Sequence, residues 1–498
     1  ALIDLNTRVN EAKTLRARIV GEFADKDSWT DNLSNKSQTL FASFEADLTP
    51  DTLLTAGLSY QKNKAKAPMW GGLPAFYADG SFTDWDVSKT SAADWTNWTT
   101  SYQTYFASLE QRLNNDWKVK FNYTRGERKA DSYLLYAMGA PDRTTGLGMS
   151  TLPGSYNVKT KQDDFAVRVD GNFQAMGRKH ELGFGFVSSS QDFHANSRAA
   201  TPGFGVLPNF NTWNGFGYPE PAWGPETYYG KGKTDQDAIY GATRLHLSDP
   251  LKLILGVRAT NYKRSGDDVY SNPYALKYNG EITPFVGLTY DITQQVSAYA
   301  SYTNIFLPQV ARDINGNYLE PIKGNSGELG LKAEFLDKKL NASAAIFQTK
   351  QKNLAIATTD QLVGIGGFPE TAYRAADGAT SKGFEMELTG QLATGWNLTA
   401  GYTQYTLKDE DGTDVNTIYP RKLLRLFTTY RLPGDLSGLT LGGGVSWQSK
   451  TYTTAVNPLG VPTDIVQGAY SLVNLMARYD FNPRLSLQLN VNNVTDKK

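Results

Sequence analysis

The chain has 498 residues with 50 basic and 50 acidic side chains, so it carries no net charge. That balance excludes the basic surplus or stripe of a nucleic-acid binder, and no nucleic-acid partner is expected. Cysteine is absent and histidine occurs only as His180, His194 and His246, which excludes disulfides and thiolate metal sites and leaves no histidine pair at close ligand spacing.

No apolar run approaches the ~18–20 residues of a transmembrane helix. A negative mean hydropathy of -0.44 suits a β-barrel with a wet lumen, because only every second strand residue then meets lipid. Period-two alternation runs along the chain. Leu40, Ala42, Phe44, Ala46 and Leu48 alternate with Ser43, Glu45 and Asp47; after the turn Thr49-Pro50-Asp51, Leu54, Ala56, Leu58 and Tyr60 continue it. Tyr105, Ala107 and Leu109 lead through Asn114-Asn115-Asp116 to Trp117, Val119, Phe121 and Tyr123. Phe165, Val167, Val169 and Phe173 turn at Met176-Gly177-Arg178 into Leu182, Phe184 and Phe186. Leu245 and Leu247 turn at Ser248-Asp249-Pro250 into Leu253, Leu255 and Val257. Later pairs turn near 291–293, 336–338, 393–395, 433–437 and 481–483.

About twenty strands of roughly ten residues or more follow, the length a tilted membrane strand needs and longer than most soluble strands. The fold expected is all-β, a transmembrane antiparallel β-barrel. Tight turns alternate with long connections at about 63–101, 129–162, 190–234, 306–327 and 352–380, so the long set faces outside and carries recognition. Tyr60, Tyr102, Trp117, Tyr123, Tyr290, Tyr302, Tyr402, Tyr430, Trp447 and Tyr479 are read as interfacial girdles. Gly183, Gly185, Gly442 and Gly443 are read as strand bends. A lumen this wide fits a plugged transporter better than an open porin of ~16–18 strands.

These stretches carry a resemblance: Trp70-Gly71-Gly72-Leu73-Pro74; Asp249 to Arg258; Tyr299 to Phe306 with Pro308-Gln309; Gly316 to Gly324; Glu328 to Lys332; Thr371-Ala372-Tyr373-Arg374 through Glu385; Tyr430 to Pro433; Leu441 to Val445; and Asn492-Asn493-Val494. In this order the chain resembles the barrel of TonB-dependent siderophore receptors, above all those for ferric coprogen and rhodotorulic acid and for ferripyoverdine. The resemblance implies a 22-stranded barrel in the bacterial outer membrane, closed by an N-terminal plug domain that engages TonB, in contact with outer-membrane lipid. It implies active import of a ferric siderophore and no catalysis. Residues 1–498 are read as one barrel domain, truncated at both ends and without the plug. The start reads as the tail of an early strand rather than a signal peptide, and the end stops about one strand short at Asp496-Lys497-Lys498. Gly327 and Thr495 depart from the pattern, where relatives usually carry aromatics.

In that family the iron arrives chelated by the siderophore, so no cofactor and no protein metal ligand is expected. The receptor needs aromatic surface and a few donors. Trp70 and Trp223 are the leading ligand-binding candidates, joined by Trp213, Tyr228 and Tyr136. Trp70 matches the family's Trp-Gly-Gly-Leu-Pro motif, and Trp223 falls where coprogen-type receptors place a Trp after the third long loop. Arg125, Arg128, Lys129 and Arg143 are possible donors. Glu385 and Glu387, two apart, fit a polar lumen face better than an acid–base pair.

Overall fold

The computed structural model describes residues 1–362 and 369–497. The strands are β1 (Leu2–Arg8), β2 (Leu15–Asp27), β3 (Ser34–Thr49), β4 (Thr52–Lys66), β5 (Asn97–Arg112), β6 (Trp117–Met138), β7 (Ser150–Ala175) and β8 (Arg178–Thr201). Then come β9 (Gly205–Val206), β10 (Ala222–His246), β11 (Leu251–Asp268), β12 (Ser271–Asp291), β13 (Val296–Leu307), β14 (Ile322–Phe335), β15 (Leu340–Leu362) and β16 (Glu370–Ala393). The last are β17 (Trp396–Lys408), β18 (Lys422–Arg431), β19 (Leu439–Gln448), β20 (Thr451–Val456), β21 (Pro462–Gln467), β22 (Tyr470–Asn482) and β23 (Leu485–Val491). One sheet holds 21 of them; setting aside the two-residue β9 leaves an antiparallel meander of twenty. Strands β20 and β21 form a separate hairpin. Among the described residues, β1 pairs only with β2 and β23 only with β22.

Pairing register fixes the two faces. Leu109, Phe121, Val167, Phe186, Ile239 and Ala259 form one cross-strand row from β5 to β11. The adjacent row on the other face reads Lys120, Arg168, Gly185, Tyr240 and Arg258. The apolar face is exposed, with Ile239 at 63%; it is the lipid-facing wall, and the polar face is the lumen. Ion pairs line the lumen, such as Arg16 with Glu45 at 2.9 Å and with Asp47 at 2.6 Å.

The girdle tyrosines and tryptophans fall on the outer face, with one correction. Tyr102 pairs with Arg128 on the lumen face, and the Arg128 guanidinium lies 5.0 Å from its ring. The in-strand glycines also differ from expectation. Gly183, Gly185, Gly442 and Gly443 keep an unbroken register. Gly185 seats the ring of its partner Tyr240, whose atoms lie 2.7–2.8 Å from where a Cβ would stand. Gly171 does the same for Trp117, at 2.2 Å. Missing side chains here make room for cross-strand rings. Gly171→Ala is therefore expected to expel the Trp117 ring and lower the temperature at which the protein loses its heat-modifiable gel mobility.

The long connections are shorter than read. β6 has 22 residues, β7 has 26 and β10 has 25, well beyond the ~9–11 a membrane requires. The stretches read as loops at 129–162 and 190–234 are mostly strand rising above the bilayer. There neither face meets lipid, so alternation fades although pairing continues. In the stretch read as 352–380, residues 363–368 lie outside the described residues, and most of the remainder belongs to β15 and β16.

Candidate functional site

The raised β6–β7 hairpin is a partition with a different aromatic cluster on each side. Its register runs without a shift from Trp117 to Met138, so residue parity keeps its meaning to the tip. Tyr136, Gly154 and Tyr156 share the lumen face with Arg168, while Tyr133, Leu135 and Ser155 continue the outer face of Phe121.

On the lumen side, Trp70 comes down from the 67–96 connection and pairs beside Tyr136. Its ring centroid lies 5.7 Å from those of Tyr136 and Tyr156, edge-on to both, an attractive arrangement for aromatic rings. The Trp-Gly-Gly-Leu-Pro motif makes this possible. Gly71 has φ +94, and a Cβ there would meet the Tyr136 ring at 2.5 Å; at Gly154 it would meet the Trp70 ring at 2.6 Å. Gly154→Ala is accordingly expected to shift Trp70, seen as a changed tryptophan emission maximum with the strand content intact. The run continues: Tyr156 lies 5.3 Å from Tyr229, and Tyr229 5.9 Å from Tyr270. Below it, on the lumen wall, Gln61, Asn63, Tyr102, Arg128 and Thr160 line a recess of about 370 Å³. It offers amide, hydroxyl and guanidinium donors beneath aromatic surface.

The outer side holds the other candidates. Trp223 packs at 5.3 Å from Tyr133 and 6.2 Å from Trp95, and its Nε1 donates to Glu220 at 2.9 Å. Arg198 covers the Tyr133 ring and pairs with Glu226. Trp213 is buried in a core with Ala93, Leu135, Met149, Leu207 and Phe210. Lys89 fastens this core: its Nζ donates to the carbonyls of Phe210 at 2.5 Å, Trp213 at 2.8 Å and Asn211 at 3.3 Å. Burial pulls the Lys89 pKa below the usual lysine value, against the opposing pull of Asp31. Tyr228 is on the outer wall as well. A bulge between Tyr228 and Gly230 separates neighbouring tyrosines: Tyr228 donates to Asp267 outside, and Tyr229 stacks on Tyr156 inside.

Of the five candidates, the structure thus brings together Trp70 and Tyr136. Trp223, Trp213 and Tyr228 lie across the wall from them. Sequence reading missed Tyr156, Tyr229 and the Lys89 fastening. Parity counted upstream from Phe165 would have put Tyr156 on the lumen face, but the bulge that turns Tyr229 inward has no sequence signal. Among the donors, Arg128 faces the lumen. Arg125 pairs with Asp163 at 3.1 Å and Lys129 with Glu127 at 2.7 Å, both on the outer wall. Arg143 lies over Tyr77 at 5.8 Å in the tip loops.

His180 is structural: its Nε2 meets the Ala175 carbonyl at 2.9 Å and its Nδ1 accepts from the His246 N–H at 3.0 Å. Glu385 and Glu387 face the lumen, opposite in parity to the outward Met386. Among the described residues, no three His, Cys, Asp or Glu side chains converge as a metal site would require.

The family model described as TonB dependent receptor-like, beta-barrel matches residues 70–494. The chain is 36% identical to the ferric-pyoverdine BN7/BN8 receptor of Pseudomonas putida, an alignment covering 99% of this chain and 60% of that protein. It is 35% identical to the ferripyoverdine receptor of Pseudomonas aeruginosa, with the same coverage. It therefore spans about 60% of the length of these relatives. The crystal structure of the outer-membrane ferripyoverdine receptor of Pseudomonas aeruginosa bound to ferripyoverdine superposes with a TM-score of 0.93 at 33% identity, over 100% of this chain and 66% of that one. The chain belongs to the TonB-dependent receptor β-barrel family.

Proposed function

We propose that this outer-membrane barrel is the channel-forming part of a receptor that captures a ferric siderophore, of pyoverdine or related hydroxamate type, and imports it by TonB-coupled transport. The observation that carries the reading is the aromatic run Trp70, Tyr136, Tyr156, Tyr229 and Tyr270 on the lumen side of the mouth, above a recess holding Arg128. A ferric siderophore presents an iron already sheathed in oxygen ligands. The protein therefore has to supply ring surface for the chromophore or chelate face and donors for its anionic oxygens, and no metal ligand of its own. Iron is cargo, and the binding step involves no bond making. Import then draws on a plug domain in the lumen and on TonB as the energy-coupling partner.

Titration of the protein with ferripyoverdine, ferric coprogen and ferrichrome, followed by tryptophan fluorescence, tests the reading. Saturable quenching by one of them at submicromolar concentration is expected. Quenching by none removes siderophore capture and leaves the barrel.

A further inference from the structure

The wall of the barrel has a notch beside the aromatic run. Strand β12 pairs with β13 only from Phe285 to Asp291, although it continues upward to Ser271 in partnership with β11. On the far side of the notch β14 leaves β15 at Lys323 and β17 leaves β16 at Thr380, while β15 and β16 go on pairing up to Leu362 and Glu370. Two arms therefore stand apart above the shorter β13 and β14. The β11–β12 arm ends in Tyr270, the last ring of the run, 73% exposed and 5.9 Å from Tyr229. Among the described residues no strand braces that arm on its β13 side.

The connection from β13 to β14, residues 308–321, fills the notch, and Arg312 stands between the two arms. Its side chain is only 6% exposed. Toward β12, its Nη2 donates to the Pro273 carbonyl and to the Tyr318 hydroxyl, each at 2.8 Å, and that hydroxyl accepts from the Ala275 N–H at 2.8 Å. Toward β16, the Arg312 carbonyl accepts from the Tyr373 N–H at 2.7 Å. Glu370, 3.8 Å from the Arg312 Nη1, also accepts from the Asn272 side chain at 3.2 Å. Gln309 makes a parallel tie: its Nε2 donates to the Asn353 carbonyl of β15 at 2.8 Å, and its own carbonyl accepts from Tyr278 of β12 at 3.3 Å. For stability alone this is a poor place for a charge. The carboxylate lies beyond hydrogen-bond distance, and the buried Nε has no hydrogen-bond partner among the described residues, so the lost hydration is weakly offset. What the planar guanidinium does supply is fixed geometry between oxygens of separate segments.

We propose that Arg312 is a positioning residue for ligand capture: it clamps the tip of the β11–β12 arm to the β15–β16 arm and so holds the Tyr270 ring at the end of the aromatic run. The proposal rests on the reading of that run as the siderophore site. Arg312 reaches the arm at Pro273 and Ala275, three and five residues from Tyr270, where the ladder to β13 is missing. A ring held in place before the ligand arrives spares the cost of ordering it on binding. The same clamp gives a physical role to Gln309 and to Tyr318, which lie in the 308–324 stretch that carries the family resemblance.

The test uses the complete receptor, with ferripyoverdine as the probe. Arg312→Met is expected to weaken binding at least fivefold in the parent and less than twofold in the Tyr270→Ala background, because the residue acts through that ring. Tyr318→Phe removes only the bridging hydroxyl and should show the same dependence on Tyr270 at a smaller size; it carries the test if Arg312→Met does not fold. The arms are also followed without ligand. The chain has no cysteine of its own, so spin labels on Val269→Cys and Thr359→Cys report the separation of the two arms, and their distance distribution should broaden in both variants. Equal losses of affinity with and without Tyr270 would overturn the proposal. So would a folded Arg312→Met protein with the parent's affinity or the parent's distance distribution. If the parent binds no ferripyoverdine, the reading of the run as a site for it fails by itself, and the distance distributions alone decide the clamp.

Discussion

Trp70→Ala is expected to weaken ferric-siderophore binding by about 1–3 kcal/mol, the scale of a lost aromatic anchor, or roughly five- to 150-fold in Kd. Trp70 reaches the lumen face of the β6–β7 hairpin from the 67–96 connection, and it holds Tyr136 and Tyr156 edge-on. Removing it deletes a ring and releases two others. Trp223→Ala is the discriminating companion. Its ring contacts Tyr133 and Trp95 on the far side of the same wall, so its affinity is expected to stay within about twofold of the parent. Equilibrium fluorescence titration or calorimetry separates the two. Unchanged affinity in Trp70→Ala, with a large loss in Trp223→Ala, would move the ligand to the outer side of the hairpin.

Phe210→Ala is expected to destabilise the tip loops by about 3–5 kcal/mol, as deleting a fully buried aromatic ring does. Phe210 has no exposed surface and packs with Leu135, Met149, Leu207 and Trp213; Trp85 meets it edge-on at 5.2 Å. Residues 202–221 are tied to the 67–96 connection through this core, the Lys89 fastening and the hydrogen bonds from the Asp94 N–H to the Gly215 carbonyl and from Trp95 Nε1 to the Tyr218 carbonyl, all outside the membrane strands, so the loss should appear as local opening rather than barrel unfolding. Hydrogen exchange should lose protection at 202–221 and around Trp85 and keep it in the membrane strands. Lys89→Met should do the same more weakly, by about 1.5–3 kcal/mol, since it deletes charged hydrogen bonds to buried carbonyls but keeps the stem. Uniform loss of protection across the barrel in either variant would show that the tip loops and the barrel unfold as one unit.

Both predictions concern one hairpin wall whose two faces meet different surroundings. Inside, edge-on rings stand over the donor-lined recess; outside, a dry core is locked by Lys89. This division explains how a chain with so many loop aromatics commits few of them to the lumen.

The sequence by itself determined the class. Alternation from Leu40 to Tyr60, from Trp117 to Tyr123 and from Phe165 to Phe186 survives because one face of each strand must meet lipid and the other water, and no tertiary arrangement relaxes that demand. It also determined the tight turns, such as Thr49 to Thr52, and the family, through motifs in order along the chain. Above the membrane the demand disappears. Neither face of β6, β7 and β10 meets lipid there, so strands read as loops, and the side on which a tryptophan stands leaves no mark in composition. Only the tertiary structure decided that Trp70 faces the lumen and Trp223 does not, because that depends on register counted across paired strands. It alone decided that Tyr228 and Tyr229 part company, because one bulge reverses the parity on which a strand's inside and outside rest.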